Sequence, residues 1–85
     1  MFDKLKQINQ LRELQKQIRA QRVEEERGGV KIVMSGEFEL IAITLNPALD
    51  VREQERAIIA CANSARQKIQ SLLARKFSSS MSELM

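Results

Sequence analysis

The sequence contains no histidine, no tryptophan and no tyrosine, and it has one cysteine and one proline. Without histidine, the common Cys/His zinc sites and a histidine general base are both excluded. The single cysteine, Cys61, cannot form a disulfide within the chain, and we expect it to be a small buried hydrophobic residue. No apolar run approaches the roughly 18 residues of a membrane span, and the N-terminus lacks the apolar stretch of a signal peptide. The sequence therefore predicts a cytoplasmic protein with no membrane partner.

Arrangements typical of catalysis are also missing from the sequence. Glu53 and Glu55 are two positions apart and would diverge on a helix, and neither Ser64 nor Ser71 has a candidate base nearby. The phosphate-binding pattern GxxxxGK[ST] does not occur. We therefore predict that the protein is not an enzyme and that it uses no cofactor, no metal and no small-molecule substrate.

Charge is unevenly distributed along the chain, although the net charge is only +3. Residues 1–22 carry six basic side chains against two acidic ones, and residues 51–85 carry six against three. Residues 23–50 have the opposite balance, with two basic side chains against six acidic ones. Two basic segments therefore flank an acidic middle.

The first segment is predicted to be a long helix. Apolar residues recur there every three or four positions: Leu5, Ile8, Leu11, Leu14 and Ile18. Arg12, Lys16 and Arg19 have the same spacing and form a basic row along one flank of this stripe. Such a row can be an ordinary solvated flank whose aliphatic stems cover the edge of the core, or it can be a binding surface.

Two turn signals divide the middle of the chain into three short strands. Gly28-Gly29 can take the positive φ of a tight hairpin turn, the run VKIVM that follows has strand-like alternation, and Ser35-Gly36 marks a second turn. Alternation along EFELIAITL predicts two apolar faces, with Phe38, Leu40 and Ala42 on one and Ile41, Ile43 and Leu45 on the other. The sequence thus predicts an antiparallel meander that its own helices can cover on one face only.

A second long helix follows Pro47, which ends the sheet. Asp50 and Glu53 resemble a capping box at its start, and an apolar stripe continues to Phe77. About 27 helical residues span roughly 40 Å, far more than a three-stranded sheet, so the end of this helix must project past the sheet or meet another helix. We predict one α+β domain over residues 1–77 with the order α-β-β-β-α, and a polar, disordered tail over residues 78–85.

The chain is small, the apolar stripes of its two helices are only partly covered within one protomer, and one face of its sheet is uncovered. Together these features predict a two-fold symmetric homodimer. Its four basic helices would suit a polyanion such as double-stranded DNA. Because aromatic side chains are few, stacking on single-stranded bases is disfavoured. No helix-turn-helix pattern is present, so we expect contacts mainly to phosphates, low sequence specificity and a steep dependence on salt.

Several short motifs resemble the YbaB/EbfC family of nucleoid-associated proteins. The family pattern GxVxVxxxG…IxIxPxL is similar to the residues Gly29, Val30, Ile32, Gly36, Ile43, Leu45, Pro47 and Leu49. ANSA, at residues 62–65, is similar to the family's NxA step in the C-terminal helix. The resemblance covers roughly residues 1–77, and its specificity lies in the order and spacing of the motifs. The chain departs from the pattern in lacking a Gly/Met/Gln-rich lead and a Gly/Met/Pro tail, and its stretch from Pro47 to Ala57 is shorter and more basic.

The resemblance implies a tweezer-shaped homodimer that is joined through its sheet region and binds DNA with projecting helices. It implies a nucleoid-associated location and a role in chromosome organisation and gene expression. Candidate DNA-binding residues, by position, are Arg12, Lys16, Arg19, Arg22, Arg66, Lys68, Arg75 and Lys76. Candidate residues of the dimer interface or core are Val30, Ile32, Met34, Phe38, Leu40, Ile43, Ile58 and Ala62.

Two other functions fit the same pattern. A prefoldin-like holdase also combines a long helix, β-hairpins and a second long helix, but it requires exposed apolar tips on paired arms, and the stripe of the first helix is short. A protein–protein oligomerisation module would use the sheet or helix faces for another protein. The leading hypothesis is a DNA-binding dimer.

Overall fold

The computed structural model describes the backbone of residues 2–84 and the side chains of residues 3–79. It confirms the predicted α-β-β-β-α order. The elements are α1 (Phe2–Ala20), β1 (Arg22–Arg27), β2 (Val30–Ser35), β3 (Leu40–Thr44) and α2 (Val51–Leu84).

The three strands form one antiparallel sheet in the order β1-β2-β3. Gly28 and Gly29 form the turn between β1 and β2, with φ values of +59° and +85°, which a side chain rarely permits. The Asn46 side-chain amide donates a hydrogen bond to the carbonyl of Gly28 over 2.9 Å. This bond ties the chain that follows β3 to the first turn.

The predicted grouping of the β3 side chains by face is wrong, because Leu40 and Ile43 share a face instead of lying on opposite faces. A bulge interrupts the pairing of β2 with β3, so that Ile32 pairs with Ile43 but Met34 pairs with Leu40. The extra residue shifts the alternation by one, which places Leu40 on the same face as Ile43. The strand also starts later than predicted, because residues 36–39 form a turn in which Phe38 has a φ of +63°. The other face carries Ala42 and Thr44, and Ile41 is the extra residue of the bulge, 48% exposed.

The core lies between α2 and the two strands β1 and β2. Small side chains on one face of α2 let the helix approach the sheet closely, and Ile69 fills the space at the far end. The buried hydrophobic residues are Val30, Ile32, Met34, Ala57, Cys61, Ala65 and Ile69. Burying a large aliphatic side chain stabilises a fold by about 1.5–3 kcal/mol. With few such side chains, this core is modest.

Helix α2 begins at a capped turn, as predicted. The side chain of Asp50 accepts a hydrogen bond from the backbone N–H of Glu53 over 2.8 Å. The helix continues past Phe77 to Leu84 because no glycine or proline interrupts it, and Met85 lies outside the described residues. A domain boundary at residue 77 and disorder in the polar tail stay predictions.

Helix α1 joins the sheet through its C-terminal end. The N–H of Gly36 donates to the carbonyl of Gln21 over 3.1 Å, and Gly36 is buried against the last turn of α1. A Cβ atom at residue 36 would lie 2.0 Å from the carbonyl oxygen of Ile18. Because that oxygen belongs to the backbone, a side chain here would have to move the helix.

We predict that Gly36→Ala lowers the free energy of unfolding by about 1–3 kcal/mol, the usual cost of overpacking. Chemical denaturation measures the change. Gly28→Asn is the matched control, because asparagine tolerates positive φ and the nearest atom to a new Cβ is Leu49 Cδ1 at 3.6 Å. Equal stability of Gly36→Ala and wild type would contradict a close contact between α1 and the sheet.

Candidate nucleic-acid interface

Both basic helices leave the sheet at the same end. Met34, near the end of β2, packs with Ala65 and Ile69 of α2, and Val23 and Leu73 pack against this cluster. Helix α1 reaches the sheet one residue beyond β2, and α2 continues past the sheet after Leu73. The N-terminal part of α1 and the C-terminal part of α2 are therefore two arms that start from the same end of the sheet.

The α1 arm makes few contacts within the protomer. Leu14 and Ile18 are half-buried, whereas Leu5, Ile8 and Leu11 are 59%, 47% and 57% exposed. The apolar stripe predicted for this helix is therefore present but mostly uncovered.

All four basic candidates in this region are exposed, but their surroundings differ. Three lie in α1, and Arg22 follows it. Lys16 lies 3.8 Å from Glu13 in a loose, highly exposed pair. Arg22 donates from Nη1 to the carbonyls of Arg19 and Gln21, over 2.6 and 2.9 Å, and so caps the end of the helix. Arg19 donates from Nε to Glu37 Oε1 over 2.6 Å. Among the residues whose side chains the structure describes, Arg12 has no acidic partner within 4.0 Å.

The basic candidates of α2 do not form a single row. Lys68 and Arg75 lie on one flank, Arg66 lies on the opposite flank at 100° per residue, and Lys76 is half-buried. Lys68 and Arg75 line an open groove of about 560 Å³ beside β1. The remaining residues of the groove are Val23, Ser64, Gln67, Ser71 and Leu72.

One of these cations is held by the sheet. Lys68 forms an ion pair with Glu25 of β1, whose side chain is only 17% exposed. Glu25 pairs with Ile32 in the sheet register, so it points toward α2 and not toward solvent. Of the three consecutive glutamates of β1, Glu24 and Glu26 are exposed, whereas Glu25 is half-buried.

Cys61 is buried, as predicted. Its thiol lies 3.7 Å from the carbonyl oxygen of Val30, to which it can donate. Burial raises the pKa of the Cys61 thiol above its usual value, and the negative charge of Glu25 raises the pKa further. The residue is therefore a neutral part of the core.

The eight candidates for the dimer interface or core divide into two groups. Val30, Ile32 and Met34 lie in the core of the protomer. The other five are exposed or half-buried: Phe38, Leu40, Ile43, Ile58 and Ala62.

Helical spacing places Ile58 and Ala62 on the flank of α2 that faces the β3 side of the sheet. Each follows a buried residue of α2, whereas Lys68 precedes one, so at 100° per residue they lie on the flank away from Lys68. Because Lys68 pairs with β1, the opposite flank is the β3 side of the sheet. Leu40 and Ile43 of β3 lie on the face toward α2 but stay 51% and 46% exposed. An apolar surface is therefore left between α2 and β3.

Other kinds of site are not found in the described part of the chain. Residues 2–84 contain no helix that is long and apolar enough to cross a membrane. The described side chains also include no group of three or more acidic, cysteine or histidine residues that could hold a metal ion.

Two basic arms on one end of a small sheet define a protein that can contact an extended polyanion. The sequence profile of the YbaB/EbfC DNA-binding family matches residues 1–84, so the chain belongs to this family. Its function class is accordingly DNA binding. No curated protein matches the chain.

Two acidic residues that contact the basic candidates were not identified from the sequence. Glu25 could have been placed, because the two-residue turn at Gly28-Gly29 sets Glu25 opposite the core residue Ile32. Glu37 gave no such signal, since its contact with Arg19 depends on how α1 meets the turn after β2.

We predict that Lys68→Met lowers the free energy of unfolding by about 1 kcal/mol, because the half-buried Glu25 carboxylate then lacks a partner. The matched control is Lys16→Met, whose partner Glu13 is exposed and for which we expect a change within about 0.5 kcal/mol. Adding Glu25→Gln should restore much of the loss. Equal unfolding midpoints for the two lysine variants would contradict a structural role for Lys68.

Proposed function

We propose that this protein is a homodimer that binds double-stranded DNA with low sequence specificity, associates with the nucleoid and influences chromosome organisation and gene expression. The observation that carries the proposal is the position of the cations, which lie on two arms from one end of the sheet in a member of a DNA-binding family. Neutralising several phosphates at once requires such an extended array.

The uncovered apolar surface supports dimerisation. Leu40 and Ile43 of β3, with Ile58 and Ala62 of α2, form an apolar patch. In a single protomer the two β3 residues of this patch are exposed to water and the two α2 residues are half-buried. Only β2 of the three strands has a neighbour on both sides, so β1 and β3 are edge strands. β1 carries five charged side chains, which disfavour pairing with another sheet, whereas β3 carries none. A second copy on the β3 side would cover the patch.

The chemistry of the arms supports low specificity. Their candidate contacts are Lys and Arg, which bind phosphate without reading the base sequence. The two helices contain one aromatic residue each, Phe2 in α1 and Phe77 in α2, which is too few for stacking on successive bases. In a dimer the four arms would extend the positive surface beyond the reach of one protomer.

One observation favours a second candidate function, that of a prefoldin-like holdase. The stripe of Leu5, Ile8 and Leu11 is exposed on the α1 arm, as a surface that binds unfolded chains requires. Suppression of the aggregation of an unfolded client, at salt concentrations that abolish DNA binding, would favour this function over DNA binding.

We predict that retardation of unrelated duplexes weakens steeply with salt. For 6–10 phosphate contacts, the affinity should fall roughly 10³- to 10⁵-fold between 50 and 200 mM salt. Equal affinity across this range would contradict a phosphate-based mode of binding.

We further predict that Arg12→Glu with Lys16→Glu abolishes DNA binding while the oligomeric state is kept. The matched control is Arg52→Glu with Arg56→Glu, which changes the net charge equally on exposed positions of α2 far from its arm. Because the reversal then lies away from the proposed contacts, the control should lose much less affinity in the same gel-shift titration. Equal losses for the two pairs would show that net charge alone, and not the α1 row, sets the affinity.

The dimer interface is tested by Ile43→Glu. A carboxylate on the apolar patch should shift the mass measured by sedimentation or light scattering from dimer to monomer at micromolar concentration. Thr44→Glu is the matched control, because Thr44 lies on the opposite face of β3 and pairs with Lys31. A dimer that survives Ile43→Glu, or that both substitutions disrupt equally, would contradict an interface on this face.

A further inference from the structure

Glu37 lies in the turn between β2 and β3, where it meets the end of the α1 basic row. Its Oε1 atom accepts a hydrogen bond from Arg19 Nε over 2.6 Å. Of the acidic contacts to the α1 row, this is the close one, since Lys16 is 3.8 Å from Glu13. The carboxylate therefore accepts from a guanidinium donor that could also bind the oxygen of a phosphate.

We propose that Glu37 is an internal competitor of the DNA backbone. In the free protein it engages the Nε of Arg19 and offsets its charge, so a phosphate must compete with Glu37 for this guanidinium. The inference rests on the proposed function, and it adds a residue of the acidic middle segment that sets the affinity of the DNA surface.

The turn holds the Glu37 carboxylate in place. The Ser35 hydroxyl accepts hydrogen bonds from the N–H groups of Glu37 and Glu39, each over 3.2 Å. The Ser35 N–H donates to the carbonyl of Glu39 over 2.9 Å, and Phe38 N–H donates to the carbonyl of Ser35 over 3.0 Å. Because these bonds close the turn on both sides, Glu37 is presented to Arg19 by an ordered backbone.

Arg19 can leave Glu37 without moving α1. Its side chain is 64% exposed and that of Glu37 is 40% exposed, so water can replace either partner. The backbone of Arg19 is held separately, through the bond from Arg22 Nη1 to its carbonyl. Exchange of Glu37 for phosphate therefore needs side-chain rotation only.

The pair of Glu25 with Lys68 differs in this respect. Glu25 is 17% exposed and faces α2, so removing Lys68 would leave a carboxylate near the core. That pair supports the packing of the helix, whereas the pair of Glu37 with Arg19 is open to a competing anion. Glu37 is thus the carboxylate whose removal should change DNA affinity.

The experiment compares Glu37→Gln with Glu39→Gln in a DNA titration at low salt. Both substitutions remove one negative charge from the same turn, and among the described residues the Glu39 side chain takes part in no ion pair. We expect Glu37→Gln to tighten binding about two- to fivefold, the range that an exposed ion pair accounts for, and Glu39→Gln to have less than half this effect. In an Arg19→Gln background, the two substitutions should have equal effects.

The outcomes distinguish the competitor role of Glu37 from an effect of net charge and from a positioning role. Equal tightening by Glu37→Gln and Glu39→Gln overturns the competitor role in favour of net charge, and weaker binding of Glu37→Gln overturns it in favour of a positioning role. Failure of wild type to bind any duplex overturns the proposed function itself. Circular dichroism and unfolding midpoints equal to those of wild type are expected for both variants, because both side chains are exposed.

Discussion

The packing of α2 on β2 is the constraint on which the rest of this structure depends. Ala57, Cys61 and Ala65 are small enough to bring the helix close to the sheet, where Val30 and Ile32 become fully buried. A chain of this size has room for one such core. Because the helix covers β1 and β2 but leaves β3 half-exposed, the packing that completes the protomer also creates the surface that a second copy can cover.

The same packing decides how charge is used. It places Lys68 against Glu25, and the joint between α1 and the sheet places Arg19 against Glu37. The acidic middle of the chain is therefore more than a spacer between two basic segments, because its carboxylates lie against the first positions of both arms. Arg12 and Arg75 lie farther along the arms, are exposed and form no ion pair among the described residues, so a phosphate would meet no acidic competitor there.

Much of the fold could be predicted from local patterns. The stripe of Leu5 to Ile18, the paired glycines 28 and 29, and the Asp50 cap each act within a few residues, so helix, hairpin and helix start follow without knowledge of tertiary contacts. The faces of β3 could not be assigned in this way. A bulge shifts the alternation by one residue, and whether a strand contains a bulge depends on its partner strand.

The candidate site was predictable in composition but not in detail. Sequence by itself determined that the chain has two basic helical segments, a small apolar core with a buried cysteine, and the motifs of a DNA-binding family, because these depend on residue type and spacing. Only the tertiary structure decided that both arms start from one end of the sheet and that Lys68 and Arg19 already have acidic partners. The reason is physical: an ion pair between residues 18 or more positions apart depends on how helices meet a sheet, and no local periodicity encodes that meeting.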